Sequence, residues 1–391
     1  MIAIVGAGAA GLMAAIAAIS RGLKVEIYEK MDRPGIKLGL AGGGRCNLSN
    51  TGDLLAGLHG ASFLRPALAN LDACRLRQVL ADLGVATKVD EQGRVYPREL
   101  TGRELAEHLH SWLRQKGVRF HFNSPLTGIA TKAGKLTALQ IGDREVKCSR
   151  AIVACGGNTY AKAGSDGRAA AILQGAGHTV LPFLPALTPV KTREAWPTEL
   201  KGISLQATVT VQANGKALDQ AQGNILFTHF GLSGPAILDI SHAAARTLHR
   251  GQRVEISLDL LPDLTPEAIL SRLEEQRQKT LANALATLLP QQLAQTVGSA
   301  QYIKGLAPTT LARIARGLKE TRLEIVDTLG KNHAMVSQGG VGLREVNPRT
   351  MESRLIEGLF IAGEILDYHG RTGGYNLHAA FATGWLAGEH A

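Results

Sequence analysis

The first thirty residues restrict the fold more than any other stretch. Met1 to Val5 reads as a short buried strand, and Gly6-Ala7-Gly8-Ala9-Ala10-Gly11 follows at once. Leu12 to Ser20 reads as an alanine-rich helix closed by Arg21-Gly22, and Lys24 to Tyr28 as a second strand ending at Glu29. Strand, Gly-x-Gly-x-x-Gly, helix, strand and acid together make the dinucleotide-binding fingerprint. Gly6 permits the tight turn, Gly8 lets a pyrophosphate approach the backbone, and Gly11 lets helix and strand pack closely. The helix N-terminus offers free N–H groups and the positive end of its dipole. Glu29 can accept hydrogen bonds from both ribose hydroxyls, and its charge disfavours a 2′-phosphate there. The expected resident nucleotide is therefore FAD or NAD rather than NADP.

Two distant segments favour FAD. Ala151-Ile-Val-Ala-Cys-Gly-Gly is an apolar strand running into glycines, and Leu359-Phe-Ile-Ala-Gly-Glu is another, ending at Gly363-Glu364. Asp367, the run Gly370-Arg-Thr-Gly-Gly-Tyr-Asn-Leu and a helix from His378 to Glu389 follow. An NAD domain needs no such return of the C-terminus, whereas the long FAD needs backbone from distant segments. The loop Lys37-Leu-Gly-Leu-Ala-Gly-Gly-Gly-Arg-Cys-Asn-Leu-Ser-Asn places small backbone beside donors and reads as a clasp on the flavin. No second fingerprint occurs, so a nicotinamide donor, NAD(P)H, would visit only transiently.

A length of 391 residues suits two or three domains. With 45% apolar and 19% charged residues the chain can build a packed core. Aromatics are only 4%, which argues against a large stacking surface for single-stranded nucleic acid. The net charge is +10. Residues 1–150 hold 21 bases against 13 acids, and residues 304–322 hold five bases against one acid. Such a surplus attracts polyanions without identifying one. Cys46, Cys74, Cys148 and Cys155 form no Cys-x-x-Cys and no zinc-ligand spacing. No metal site and a reducing, cytoplasmic setting are expected. The uncharged first twenty residues lack the positive start of a secretory signal, and glycines interrupt them. No other run approaches the ~18 apolar residues of a membrane span.

The middle of the chain reads as an insertion. Ser204 to Ala213 alternates as a strand, Asn214-Gly215 marks a hairpin, and Arg253 to Leu261 is another strand. Thr265-Pro-Glu starts a helix whose apolar residues Ile269, Leu270, Leu273, Leu281, Leu285 and Leu288 keep helical spacing to Pro290. Pro308 starts another helix, with Arg313, Arg316 and Lys319 along one side as either a solvated face or an RNA-facing stripe.

These segments together resemble the BaiN/RdsA (YhiN-like) family of FAD-dependent oxidoreductases, which includes a ribosomal-RNA dihydrouridine synthase. The matching runs are Gly6 to Gly11 with Glu29, GGGRCNLSN at 42–50, GG-x-x-Y with GSDG at 156–167, FTHFGLSGPAIL at 227–238 and GEILDYHGRTGGYNLHAAFATG at 363–384. Ile36, Cys155, Ala161 and His378 depart from the family's usual Arg, Thr, Pro and Gln. The resemblance implies an α/β fold: a discontinuous glutathione-reductase-like FAD-binding Rossmann domain, interrupted by a β-barrel-like domain that carries a helical subdomain. The expected pieces are 1–187 and 346–391 for FAD, 188–262 and 323–345 for the β domain, and 263–322 for the helices.

The residues expected at the cofactor are Gly6, Gly8, Ala9, Ala10, Gly11, Glu29, Lys30, Lys37, Leu38, Gly43, Gly44, Arg45, Asn47, Leu126, Ala154 and Gly156. The C-terminal part adds Gly363, Glu364, Asp367, Gly373, Gly374, Tyr375, Asn376 and Leu377. Reduction of the uracil 5,6 double bond needs hydride at one carbon and an acid at the other. Cys46, His229 and Tyr375 are the candidate acids. The implied reaction is reduction of uridine in large-subunit ribosomal RNA with NAD(P)H. A small-molecule oxidase or reductase acting on an amine, amino acid or enone, and a non-catalytic flavin-binding protein, are the competing readings.

Overall fold

The computed structural model describes residues 1–391. The chain divides into two compact units, Met1–Phe183 with Val336–Ala391, and Leu184–Met335. The divisions fall four and ten residues before the expected boundaries at 187 and 345. The return comes early because the strand Val336–Val341 belongs to the first unit. There Gly339 and Gly340 press so closely on the backbone of Pro182 and Ile365 that a Cβ would lie 2.2 and 2.3 Å from their carbonyl oxygens.

The first unit is built on a five-stranded sheet in the order Leu359–Ile361, Ala151–Val153, Ile2–Val5, Val25–Tyr28, Arg119–His121. All four pairings are parallel. The strands Ala151–Val153 and Ile2–Val5 at the middle are apolar throughout, as a sheet covered on both faces requires. The helix Ala9–Ser20 begins three residues earlier than its apolar run suggests, directly after the glycine turn. It packs against the C-terminal helix Tyr375–His390 through small residues. A Cβ on Gly384 would sit 2.1 Å from the Ala10 oxygen, and one on Gly388 2.2 Å from that of Ala14. Glycine at these positions lets the two backbones touch. No helix of the chain is long and apolar enough to cross a membrane.

The second unit is a closed six-stranded barrel. Its order is Val190–Thr192, Gly231–Ser233, Lys216–Thr228, Ser204–Ala213, Val254–Asp259, Thr321–Thr328. Val190 closes it by pairing with both Leu232 and Thr328. Asn214 (φ 50°) and Gly215 (φ 73°) form the expected hairpin turn. Inward Ala207, Val209 and Val211 alternate with less buried neighbours, and Ile237, Ile240 and Ala244 of the helix Pro235–His249 complete the core.

Between the last two barrel strands the chain forms the helices Pro266–Glu274, Leu281–Leu285, Gln291–Val297 and Pro308–Lys319. The continuous helix expected from 265 to 290 is therefore broken. Thr265 caps the first piece, and Thr280 starts the second by accepting from the Asn283 N–H. Leu273 and Leu281 are eight positions apart, which keeps helical phase across the break and hides it from periodicity. Lys319 is not part of a free basic stripe. Its Nζ lies 2.7 Å from Asp259 and donates to the carbonyls of Leu261 (2.8 Å) and Leu264 (2.6 Å). Arg313 and Arg316 stay exposed.

Candidate functional site

The site grows from the turn after the first strand. Gly6 adopts φ +101°, and a Cβ there would lie 2.5 Å from the Ala154 oxygen. A Cβ on Gly11 would lie 1.9 Å from the Gly6 oxygen. Both are glycine because protein backbone presses on them. Gly8 differs: a Cβ there would meet nothing within 4 Å, and its φ of −83° suits any residue. The free space at Gly8 adjoins a helix N-terminus that no side chain caps. Ala9 and Ala10 begin this helix.

Glu29 leans over the same turn. Its Oε2 accepts from the Ala7 N–H (2.7 Å) and its Oε1 from that of Met31 (2.9 Å), so its direction is set by backbone. Lys30 pairs with Asp166 at 2.8 Å. Asp166 also binds Arg168, and its carboxyl is held below the usual range by these two cations against the opposing cost of burial. Gly156 (φ +73°) lies beside the buried Ser165, whose Oγ would be 2.9 Å from a Cβ on it.

A second cluster gathers three distant segments. Lys37 Nζ lies 2.5 Å from Glu364 Oε2 and donates to Thr159 Oγ1 at 2.8 Å. Glu364 Oε1 accepts from the Ser337 N–H (2.8 Å), and Ser337 Oγ from the Asn158 N–H (2.8 Å). Thr159 and Ser337 were not expected. Thr159 occupies an unspecified position of the GG-x-x-Y run, and nothing local marks Ser337.

The third cluster joins the glycine-rich loop to the C-terminal helix. Gly42, Gly43 and Gly44 all have positive φ (58°, 67°, 89°), as do Gly373 and Gly374 (116°, 101°). The hydrogen-bond network fixes the Asn47 amide so that its oxygen accepts from the Gly374 N–H (3.1 Å) and its nitrogen donates to the Ser49 carbonyl (2.9 Å). Asn50 Nδ2 donates to the Gly373 carbonyl at 3.1 Å. Asn376 pins the preceding turn, accepting from the Gly370 N–H (2.7 Å) and donating to the carbonyls of Gly370 and Arg371. Tyr375 packs over Gly57, where a Cβ would lie 2.3 Å from its ring. Leu377 is half-buried on the same turn, and Asp367 accepts from the Gly339 N–H (3.0 Å).

His378 buttresses this junction from inside. Its Nδ1 is 2.8 Å from Ser49 Oγ and its Nε2 2.8 Å from the Leu71 carbonyl. A carbonyl accepts only, so Nε2 carries the proton and Nδ1 accepts from the serine. Burial pushes the ring's pKa down to about 4, which keeps it neutral.

The remaining expected residues divide. Gly363 lies against Ala10, where a Cβ would be 2.8 Å from the alanine methyl. Leu38, Leu126 and Ala154 are buried around the sheet. Arg45 is exposed, with its guanidinium 5.4 Å from the Tyr96 ring centre. Cys46 is fully buried at φ 58°, against Gly102, and burial pushes its thiol up to about 12. His229 belongs to the second unit, exposed in the turn before Gly231 and edge-on to Phe230.

The turn fits a bound dinucleotide: open space at Gly8, an uncapped helix end, and the Glu29 carboxylate fixed by backbone N–H groups at the end of the second strand. Known proteins give the same family picture. The pattern described as the HI0933-like protein Rossmann domain matches residues 1–390. A 3-dehydro-bile acid delta(4,6)-reductase of Clostridium scindens is 33% identical, aligned over 100% of this chain and 98% of its own. A ribosomal RNA dihydrouridine synthase of Escherichia coli is 29% identical over 99% of this chain and 96% of its own. A 3-ketosteroid delta1-dehydrogenase from Sterolibacterium denitrificans superposes with a TM-score of 0.52, covering 100% of this chain and 98% of its own, at 13% identity. At that identity the likeness speaks for the fold alone.

Proposed function

The chain belongs to the HI0933-like family of FAD-dependent oxidoreductases, and on that premise we propose that it reduces a carbon–carbon double bond conjugated to a carbonyl, in uridine of large-subunit ribosomal RNA. The observation that carries the cofactor assignment is the convergence of the glycine turn at 6–11, the clasp at 42–50 and the run at 370–377 in one unit. FAD, when bound, supplies two-electron transfer, with NAD(P)H as its source of electrons.

The chain's own residues then have separable tasks. Gly8 and the helix start would take the pyrophosphate, and Glu29 the ribose hydroxyls. The Lys37–Glu364 pair and the Asn47–Gly374 contact would hold the later segments against the cofactor. Of the three candidate acids, Cys46 is fully buried against Gly102 at the start of a helix, and His229 is exposed in a turn beside Phe230. The phenol of Tyr375 belongs to the glycine junction itself, and we assign it the proton.

Uridine and a steroid enone share the reacting unit, an alkene polarised by a carbonyl. The net charge of +10 favours the RNA. The relative named as a bile acid reductase favours a small enone. Mass spectrometry of nucleosides from ribosomal RNA decides between them. Cells lacking the gene should lose dihydrouridine and regain it on complementation; an unchanged content would leave the enone reading.

A further inference from the structure

We propose that Tyr302, with Lys304, Gln278 and the flanking Arg277 and Lys279, is a stacking site for one unpaired base of a single-stranded RNA loop. This rests on the RNA reading above and locates where on the barrel unit such a substrate would be held.

Tyr302 is 52% exposed, unusual for a large aromatic side chain. Its backbone is nevertheless fixed. Thr280 and Tyr302 form an antiparallel bridge, flanked by hydrogen bonds from Leu281 N to the Gln301 carbonyl (2.9 Å), Ile303 N to that of Lys279 (3.0 Å) and Lys304 N to that of Arg277 (3.2 Å). The side-chain period of two sends Ile303 into the core, at 1% exposure, and turns Tyr302 outward. The ring stays in solvent because its neighbour supplies the core contact.

The surroundings of the ring are cationic. Lys304 Nζ is 5.5 Å from the Tyr302 ring centre and 3.4 Å from Gln278 Oε1. Arg277 and Lys279, both exposed, lie on the chain segment that pairs with Tyr302 to Lys304. Cations beside an exposed aromatic face suit a polyanion whose bases are unpaired, because every base offers a π-face and every phosphate a charge. A duplex would offer charge but no open base. The aromatic-poor composition limits the site to one stacked base.

The test uses full-length, FAD-loaded protein and a fluorescein-labelled, uridine-rich single-stranded RNA, with anisotropy read at two salt concentrations. Y302A is expected to weaken binding about ten-fold, and Y302F to retain it. K304E should weaken binding and flatten the salt dependence by about one phosphate contact. K216E makes the same charge change on the exposed barrel hairpin and should not. Y302A binding like the parent, or K216E weakening as much as K304E, overturns the site. A parent protein that binds through Tyr302 yet forms no dihydrouridine in ribosomal RNA upholds the site and removes the function proposed above. A parent that forms dihydrouridine, matched by Y302A in rate and affinity, removes the site and leaves that function standing.

Discussion

His378 shows how one buried side chain can couple an acid response to the glycine-rich loop that ends at Ser49 and Asn50. Its ring must stay neutral to accept from Ser49 and donate to Leu71. Its pKa falls from 6.5 to about 4 on folding, so the unfolded chain binds the extra proton between those values. The contribution is present in full above pH 6.5 and is lost as pH falls through 4, in total about 3 kcal/mol. Denaturant titrations at pH 7 and pH 4.5 should show a loss that H378Q reduces, since an amide can donate and accept without titrating. Glu29 poses the opposite case. Both of its oxygens accept backbone N–H groups, whereas glutamine offers one acceptor. E29Q should cost about 1–3 kcal/mol through an N–H facing an amide, and should weaken FAD retention, read by flavin fluorescence after gel filtration. Cys46 marks what residue type alone conceals. A thiol beside three glycines reads as reactive, but its burial against Gly102, at the start of a helix more than fifty residues on, leaves no mark in that loop.

At the scale of elements, the glycine turn separates two roles that the sequence pattern merges. Gly11 is pressed by the Gly6 carbonyl, whereas Gly8 faces open space. G11A should therefore lower the stability of the flavin-free protein by about 1–3 kcal/mol or more. G8A should leave that stability unchanged and weaken FAD at least ten-fold, or about 1.4 kcal/mol. Equal destabilisation of the two flavin-free variants in chemical denaturation would contradict this division. The C-terminal helix gives a parallel case, where G384V should destabilise strongly because the backbone oxygen of Ala10 cannot retreat. Strands and turns marked by short, local signals were legible in the residues, as in Ser204–Ala213 and its Asn214-Gly215 turn. The break before Thr280 was not, because the apolar residues on either side stay in phase. The ion pair of Lys319 was also hidden, since Asp259 lies sixty residues away in sequence.

For the whole molecule, the main segments carry their own marks in the sequence: a fingerprint, a hairpin, a glycine run. What could not be read is how the later pieces close on the first. Lys37 with Glu364 and Asn50 with Gly373 are contacts 327 and 323 residues apart in sequence, and Ser337 with Glu364 one 27 residues apart. The Val336–Val341 strand likewise carries no local sign that it belongs with the first unit. The proposed reading places a resident flavin in the first unit, beside these contacts. The direct test is the absorbance spectrum of the purified chain, followed by release of cofactor on denaturation. The visible absorbance of an oxidised flavin, with one FAD freed per chain, is expected. A colourless protein that takes up no FAD from excess would contradict the account.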